Sequence, residues 1–455
     1  MRLKSSAILP RPLYEPKPLN IENIKTSRHP TFTDALRFWL KLGFISFGGP
    51  TGQIAIMHTE LVEKKKWISE TRFLHALNYC MLLPGPEATQ LATYVGWLLH
   101  KTPGGIVAGA LFVLPSAFIL WGLSYVYVTF GKLAWIAAIF YGLKPAVMAI
   151  VVFAVIRIGK KALKNEVMWI LALLAFTGIF FFEIPFPLII LSAGVIGFAG
   201  GKIWPQKFSA TANHGASSQS IIGDADESPL HTKPSLARAI KVSAFCLALW
   251  WLPVFILGWW QGWQSTLFQQ GIFFSKAAMV TFGGAYAVLP YVAQKAVEDY
   301  HWLSAGQMLD GLGLAETTPG PLIMVLQFVG FLGAWHHPGN SFPLVAATLG
   351  AFITTWTTFL PCFLWIFLGA PHIEQLRGNK NLTSALSAIT AAVVGVVLNL
   401  AIWFGLHVLF PSAGVVDWFA VIVSVIAFIG MWQWNWNIIT VVIGSGLVGL
   451  LYQIL

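Results

Sequence analysis

"SFGGPTGQ" (Ser46–Gln53) and "TFGGAYAV" (Thr281–Val288) each set a Gly-Gly pair inside a hydrophobic stretch. Glycine costs a helix interior about 1 kcal/mol relative to alanine, so such a pair marks an interruption. Two further interruptions occur, Pro84-Gly85-Pro86 and Pro319-Gly320-Pro321. Phe47 to Phe282 and Pro84 to Pro319 span the same interval of 235 residues. At that interval Lys41 meets Lys276, Trp67 meets Trp302, and Ser69 meets Ser304. Two tripeptides and a matched lysine in one register identify an internal duplication.

The chain around these motifs is that of a membrane protein. Of its 455 residues 56% are hydrophobic and 10% charged, where a soluble domain carries about 25% charged. Mean hydropathy is +0.71. Apolar runs such as 105–127 and 385–410 exceed the ~20 residues that a bilayer crossing needs. The expected fold is therefore an all-α polytopic membrane protein. Residues 1–33 are polar and rich in Pro, Lys and Arg, without the apolar core of a signal peptide. The formal charge of +10 sits in loops between spans, where it speaks of membrane orientation and not of nucleic acid. Cys80, Cys246 and Cys362 lie in apolar segments without metal-like spacing and read as packing residues.

Five parts are expected: a cytoplasmic N-terminal tail (1–33), a first repeat (34–200), a cytoplasmic linker (201–237), a linking transmembrane helix (238–262) and a second repeat (263–455). Full spans are expected near 104–129, 132–157, 167–182 and 186–200, with counterparts near 342–369, 382–410, 416–432 and 434–453. Four spans return the chain to its starting side, so the lone segment at 240–260 carries the second repeat to the other side. Inverted repeats follow, an arrangement typical of secondary transporters. Lysine and arginine agree with a cytoplasmic N-terminus. Lys101, the set Arg157, Lys160, Lys161 and Lys164, the set Lys202, Lys207 and Lys233, and the pair Arg377 and Lys380 fall in loops on one side. Loops around Glu183, His336-His337 and Asp417, on the other side, hold almost none.

The interruptions leave pieces of about 11–14 residues, too short to span alone. Each broken segment either crosses as a kinked helix, giving about 13 spans, or enters and returns, giving about nine spans and four re-entrant hairpins. The run Glu63-Lys64-Lys65-Lys66 favours hairpins, because they keep the lysines on the cytoplasmic side. Pro50, Pro86 and Pro321 suit the first position of new half-helices. Non-helical backbone at membrane depth survives only inside protein or along a wet cavity. Four paired breaks therefore point to one central site, whose helix starts would suit an anion.

At this point the motifs match a known family. "FGGP", "LLPGPEATQLATYVGW" (Leu82–Trp97), "TFGGAYAVLPYV" and "TTPGPLIMVLQFVGF" resemble the chromate ion transporter family in its long, two-domain form. The likeness runs from about Phe32 to the last spans, with Ala285 standing where the first half has Pro50. It implies export of chromate, an oxyanion resembling sulfate, across the bacterial inner membrane. The expected substrate-binding residues are Lys41, Phe47, Gly48, Gly49, Pro50, Pro84, Gly85, Pro86, Glu87, Thr89 and Gln90 in the first half. In the second they are Lys276, Phe282, Gly283, Gly284, Thr318, Pro319, Gly320 and Pro321. Lys41 and Lys276 would neutralise a dianion, against the plainer reading that they snorkel to the membrane face. Glu87 would be a protonatable gate, against a plain helix-dipole role. Gln53, Asn78, Thr317 and Gln327 are further polar groups near the breaks. No ATP-binding loop, HExxH, nucleophile elbow or paired histidine ligands occur, so no cofactor, metal or catalytic residue is expected. The expected partners are a chromate- or sulfate-like oxyanion and the lipid bilayer. Sulfate as substrate, a channel, a membrane-embedded enzyme and a homodimer stay open at this point.

Overall fold

The computed structural model describes residues 29–47, 49–208, 235–372, 380–411 and 415–454. Gly48, most of the N-terminal tail (1–28), the linker core 209–234 with Lys233, and Arg377 lie outside the described residues. Among the described residues, 17 helices and no strand are formed.

Local chemistry sets the helix starts, and it does so alike in both repeats. Ser69 caps α3 (Glu70–Leu82) by accepting from the Arg72 amide. Its counterpart Ser304 caps α12 (Ala305–Thr317) by accepting from the Gln307 amide, with the Gln307 side chain reaching back in a capping box. Thr31 caps α1 (Phe32–Ile45) and Ser265 caps α10 (Thr266–Met279) in the same way. After each Gly-Gly break comes a ten-residue helix, α2 (Gly49–His58) or α11 (Ala285–Gln294). Each then widens into a π-turn, Thr59–Lys64 or Lys295–Asp299.

The broken segments are re-entrant hairpins. Residues 49–64 rise about 1.5 Å each, so a chain running on through the membrane would carry Trp67 some 24 Å beyond the break. Trp67 instead lies 5.2 Å, ring to ring, from Phe38, halfway along the incoming α1. The Lys65 ammonium sits 5.5 Å from the same ring. The counterpart pair, Phe273 and Trp302, is 5.7 Å apart. The second break of each half behaves likewise: His100 is bonded to the Pro30 carbonyl at 3.0 Å, just before α1, and His336 to the Trp302 carbonyl at 2.8 Å, so each arm returns to the side it left. α4 (Glu87–Phe130) is two antiparallel arms, because His100 and Lys101 leave helical geometry, Lys101 with φ 57°. The arms touch at Gly96 and Gly104, where a Cβ on either would meet the other's carbonyl at 2.4 or 2.3 Å. In the second repeat α13 (Val325–His336) meets α14 (Pro343–Gly369) in the same way through Gly330 and Gly350.

The remaining helices are α5 (Ala134–Ala162), α6 (Glu166–Phe180), α7 (Phe186–Ile203), a single turn α8 (Pro205–Phe208), α9 (Leu236–Gln261), α15 (Lys380–Leu409), α16 (Trp418–Gln433) and α17 (Ile438–Ile454). Six helices among the described residues are long and apolar enough to cross a membrane, with shorter apolar helices at α6, α16 and α17 and a fourth, Leu322–His336, that is the returning arm of a hairpin. Together they give nine spans and four hairpins, the second of the two arrangements the sequence allowed. Five crossings (102–130, α5, α6, α7 and α9) separate the first pair of hairpins from the second, an odd number, so the two pairs enter from opposite sides. α7 runs on to Ile203, and Phe208 tucks beneath Gly200, so residues 201–208 continue the first repeat's packing.

Without a hydrophobic drive between helices in lipid, small residues and close backbone approach hold such bundles together. Gly142 of α5 faces Ser445 and Gly449 of α17, Gly197 of α7 faces Ser384 and Ala388 of α15, and Gly395 of α15 faces the Ala172 carbonyl of α6. Each of these seams joins one repeat to the other. The halves are therefore interlocked, not merely apposed, and the hairpins are clasped between them. Outward-facing Phe118, Leu173, Val195, Trp259 and Trp418 are exposed, as a lipid-facing surface requires.

Candidate functional site

All four breaks meet at one place. The Gly85 amide donates to the Thr281 carbonyl at 2.7 Å, and the Gly320 amide donates to the Ser46 carbonyl at 2.7 Å. Ser46 and Thr281, like Gly85 and Gly320, are repeat counterparts, so the two bonds are related by a pseudo-two-fold exchange of halves. A Cβ on Gly284 would lie 3.6 Å from Pro50, which brings the two Gly-Gly turns together as well. Glycine is required here: φ is 71° at Gly49, 118° at Gly85, 79° at Gly283, 94° at Gly284 and 105° at Gly320. Pro86 and Pro321 stand just before their helices as extended caps, at ψ 104° and 129°, one position earlier than the sequence suggests. Gly284 caps α11, so the fourth helix start forms without a proline.

The side chains gathered there are polar mainly on the first repeat. Gln53 is buried and donates to the Gly320 carbonyl at 2.6 Å. Gln90 donates to the Pro84 carbonyl at 2.8 Å and bridges its own break. Ser46 Oγ, Thr89 Oγ1 and Gln90 Oε1 are buried without a hydrogen-bond partner. Buried polar atoms of that kind are rare, and in a site they await a ligand or water. Gln90 closes the first intrahelical bond of α4, onto the Pro86 carbonyl. The amides of Glu87, Ala88 and Thr89 ahead of it are thus free of intrahelical partners, at the positive end of the helix dipole. Glu87 is 8% exposed and has no cation within ion-pair distance among the described residues.

Other expected residues are placed differently. Thr317 and Thr318 turn their hydroxyls onto carbonyls of their own helix. Gln327 donates to the Ala117 carbonyl at 2.7 Å and ties α13 to α4. Phe47 and Phe282 are half-buried beside their turns. Lys41 and Lys276 lie on exposed sides of α1 and α10, and neither forms an ion pair among the described residues. His336 Nδ1 is bonded to the Trp302 carbonyl at 2.8 Å. No group of three or more His, Cys, Asp or Glu among the described residues is placed to hold a metal.

Further buried polar groups lie around the breaks, Glu316 just before Pro319 among them, and Asp310 escapes a sequence reading centred on the breaks. Glu316, 3% exposed, accepts a hydrogen bond from the Tyr286 hydroxyl just after the Gly283-Gly284 turn. Cys362 Sγ lies 3.2 Å from where a Cβ on Gly85 would stand. Asp310 of α12 accepts from Tyr127 of α4 at 2.8 Å, with Lys144 of α5 4.0 Å away. Lys144 could have been found, since it interrupts an otherwise apolar run in "AWIAAIFYGLKPAVMAIVVFAVI". Asp310 could not, because nothing in its own segment names its partners.

Non-helical backbone gathered from four re-entrant hairpins, inside a bundle of lipid-facing helices, defines a polytopic membrane protein of transporter type. Comparison with known proteins gives the family. The profile of the family described as "Chromate transporter" matches residues 33–198 and again 268–450, one match per repeat. The chromate transport protein of Pseudomonas aeruginosa is 32% identical over 424 residues, 90% of either chain. That of Cupriavidus metallidurans is 31% identical over 383 residues, 82% of this chain and 83% of the relative. An uncharacterized transporter of Bacillus subtilis is 32% identical over 158 residues, 35% of this chain but 76% of its own length, as a single-repeat relative would be. This chain belongs to the chromate transporter family. No solved structure matches it.

Proposed function

We propose that the protein is a secondary transporter that exports chromate across the cytoplasmic membrane by alternating access, and so confers chromate resistance. The observation that carries the reading is the reciprocal pair of hydrogen bonds joining Gly85 to Thr281 and Gly320 to Ser46. Ser46 itself and the adjoining start of α4 carry three buried polar atoms without a partner among the described residues. A tetrahedral oxyanion of charge −2 suits such a point. The amides of 87–89 and the hydroxyls of Ser46 and Thr89 can donate to it, and the dipole end favours negative charge. Pro50, Pro84 and Pro86, with the glycines at 49, 85, 283, 284 and 320, shape the binding place. Phe47, Phe282, Thr318, Pro319 and Pro321 wall it. Lys41 and Lys276, on exposed helix faces, are the charges an incoming or departing anion meets. Glu87 must be neutral when the anion is present, which makes it a protonatable gate.

The energetics favour export. Each charge crossing the membrane is worth about 2.3 kcal/mol per 100 mV, so a dianion leaving a negative-inside cell gains roughly twice that. No ATP site is needed, and no enzymatic step is invoked. With the N-terminus and the Lys64–Lys66 run in the cytoplasm, the first repeat's hairpins open inward and the second's outward. Exchanging which pair is wetted is the alternating step.

Counterflow in proteoliposomes tests this reading. Saturable chromate movement under an imposed potential, slowed by competing sulfate, is the expected result. Flux that never saturates would make the protein a channel, and absence of oxyanion flux at every pH and voltage would end the proposal. Lys41→Ala and Lys276→Ala should each abolish flux at normal expression; wild-type flux in both removes them from the pathway.

A further inference from the structure

A second charged cluster lies outside the meeting point. Asp310 sits on α12, the arm of the second repeat that leads to the Pro319 break. It is 4% exposed. One carboxylate oxygen, Oδ2, accepts the Tyr127 hydroxyl at 2.8 Å. The other, Oδ1, is buried without a hydrogen-bond partner. The nearest cation is the Lys144 ammonium, 4.0 Å from that oxygen and too far to donate to it, with 32% of its side chain exposed.

The seam between α12 and α5 is shaped around this trio. Gly306, one turn before Asp310, leaves room for Lys144, whose ammonium lies 3.2 Å from where a Cβ would be. Gly313, one turn after, faces Val147 in the same way. The trio also sits toward one face. Tyr127 is three residues from the end of α4, and Asp310 is five residues into α12, both away from the His100–Lys101 turn. A carboxylate bonded at one oxygen, unpaired at the other and just beyond hydrogen-bond reach of a part-exposed ammonium is placed to take up a proton. A metal cation is disfavoured there by Lys144. Among the described residues, the titratable groups on other faces of the elements packed against α12 have partners elsewhere: Tyr452 of α17 stacks on Tyr141 of α5, whose hydroxyl donates to Asp417. His336 and His407, at the ends of α13 and α15, are bonded to the Trp302 and Trp403 carbonyls.

We infer that Asp310, Tyr127 and Lys144 form a proton-binding site, separate from the oxyanion site, through which proton uptake from the face opposite the His100–Lys101 turn is coupled to movement of α12. Charging Asp310 draws Lys144 and α5 onto α12; protonating it releases them. Because α12 ends at the Pro319-Gly320-Pro321 break, the change reaches the Gly320–Ser46 bond. The coupling rests on the transport reading above, whereas the proton site does not.

Two measurements on the full-length protein separate them. Infrared difference spectra of purified protein between about pH 5 and about pH 8, a range that brackets perturbed carboxyl groups, should show a protonated-carboxyl band. One component of that band should be lost in Asp310→Asn and kept in Glu316→Gln, the Glu87 carboxyl contributing another. Chromate efflux from proteoliposomes at clamped voltage should change by up to about tenfold per pH unit on the limb where one proton is needed. In Asp310→Asn that limb should be lost, leaving only the dependence that Glu87 and the protonation of chromate itself impose. An unchanged band, or an unchanged pH profile, in Asp310→Asn overturns the inference. Should that variant fail to fold, Tyr127→Phe and Lys144→Gln keep the carboxyl and must shift the midpoint of both readouts; midpoints unmoved in both overturn it equally. A wild type that carries no oxyanion defeats the transport reading and leaves the infrared result to judge the proton site alone.

Discussion

The two repeats share a backbone and differ in chemistry. Caps, π-turns, Gly-Gly turns and Pro-Gly-Pro breaks recur at matched positions, and the Gly85–Thr281 hydrogen bond is the counterpart of the Gly320–Ser46 one. Yet counting on from the matched motifs, Gln53 faces Val288, Glu87 faces Leu322, Thr89 faces Met324 and Gln90 faces Val325. The second repeat keeps its polar groups elsewhere. Asp310 and Glu316 lie on the incoming arm, where the first repeat has His75 and Met81. Duplication preserved what the fold needs, the breaks and their glycines, and released the side chains to specialise. The first half gathers Glu87 and unpartnered polar atoms at the crossing; the second carries Asp310 and Glu316 on its incoming arm.

The largest effects should treat the halves alike, because they strike shared geometry. Gly96→Leu and Gly330→Leu each drive a side chain into backbone, toward the Gly104 carbonyl at 2.4 Å or toward Thr354 and the Gly350 carbonyl. Overpacking costs about 1–3 kcal/mol where side chains can yield, and carbonyls cannot. Both variants should lose most folded protein in detergent, measured by size-exclusion profile. If one half tolerates the change, its hairpin is not clasped as described.

Next come the glycines at the crossing. Gly320→Ala places a Cβ 2.6 Å from Ser116 at φ 105°. Gly85→Ala meets only Gln90 and Cys362 side-chain atoms, at 3.1 and 3.2 Å. A left-handed conformation alone costs about 1–2 kcal/mol for an L-residue, which is roughly tenfold in an equilibrium. Chromate counterflow should fall by at least that in both, and further in Gly320→Ala.

Asymmetry appears with the side chains. Gln90→Leu removes a buried hydrogen bond to Pro84, a loss of about 1–3 kcal/mol, and should cut flux about tenfold or more. Val325→Ala at the matching position should change flux less than about threefold. Equal effects in transport assays would mean that the second half's helix start binds substrate as well, and the division of labour would fall.

How far the sequence discloses this division depends on the residue. The breaks are legible because glycine and proline act locally, and the common interval between motifs converts four local signals into one tertiary expectation. The lysine run at 64–66 likewise discloses the hairpin, through the charge asymmetry of membranes. The Gly85–Thr281 and Gly320–Ser46 bonds are not legible, since backbone groups carry no sequence signature. Lys144 stands out in an apolar run, but its distance from Asp310 depends on how α5 packs along α12, which glycines 306 and 313 set without announcing their partner. Lys41 and Lys276 show the converse. Their matched positions suggest a shared role, while the direction each side chain takes is fixed by helix rotation and not by spacing.

The smallest effect should come from the most literal difference between the halves. Glu60 and Lys64 pair at 2.7 Å within the first π-turn, and Lys295 and Asp299 pair at 2.5 Å within the second, the same positions with the charges exchanged. Exposed i,i+4 pairs are worth about 0.3–0.5 kcal/mol, so Lys64→Gln or Asp299→Asn alone should barely move thermal stability. Orientation gives the exchange a second meaning, since lysine belongs on the cytoplasmic face and is scarce on the other. The double reversal Glu60→Lys with Lys64→Glu keeps both the pair and the net charge, and should leave stability and topology unchanged. Lys64→Glu combined with Lys65→Glu and Lys66→Glu removes the positive run altogether. Cysteine-accessibility mapping should then find a fraction of molecules with the first hairpin's return on the wrong side. A triple variant inserted wholly as the wild type would mean that the Gly-Gly turn by itself dictates re-entry, and that charge merely accompanies it.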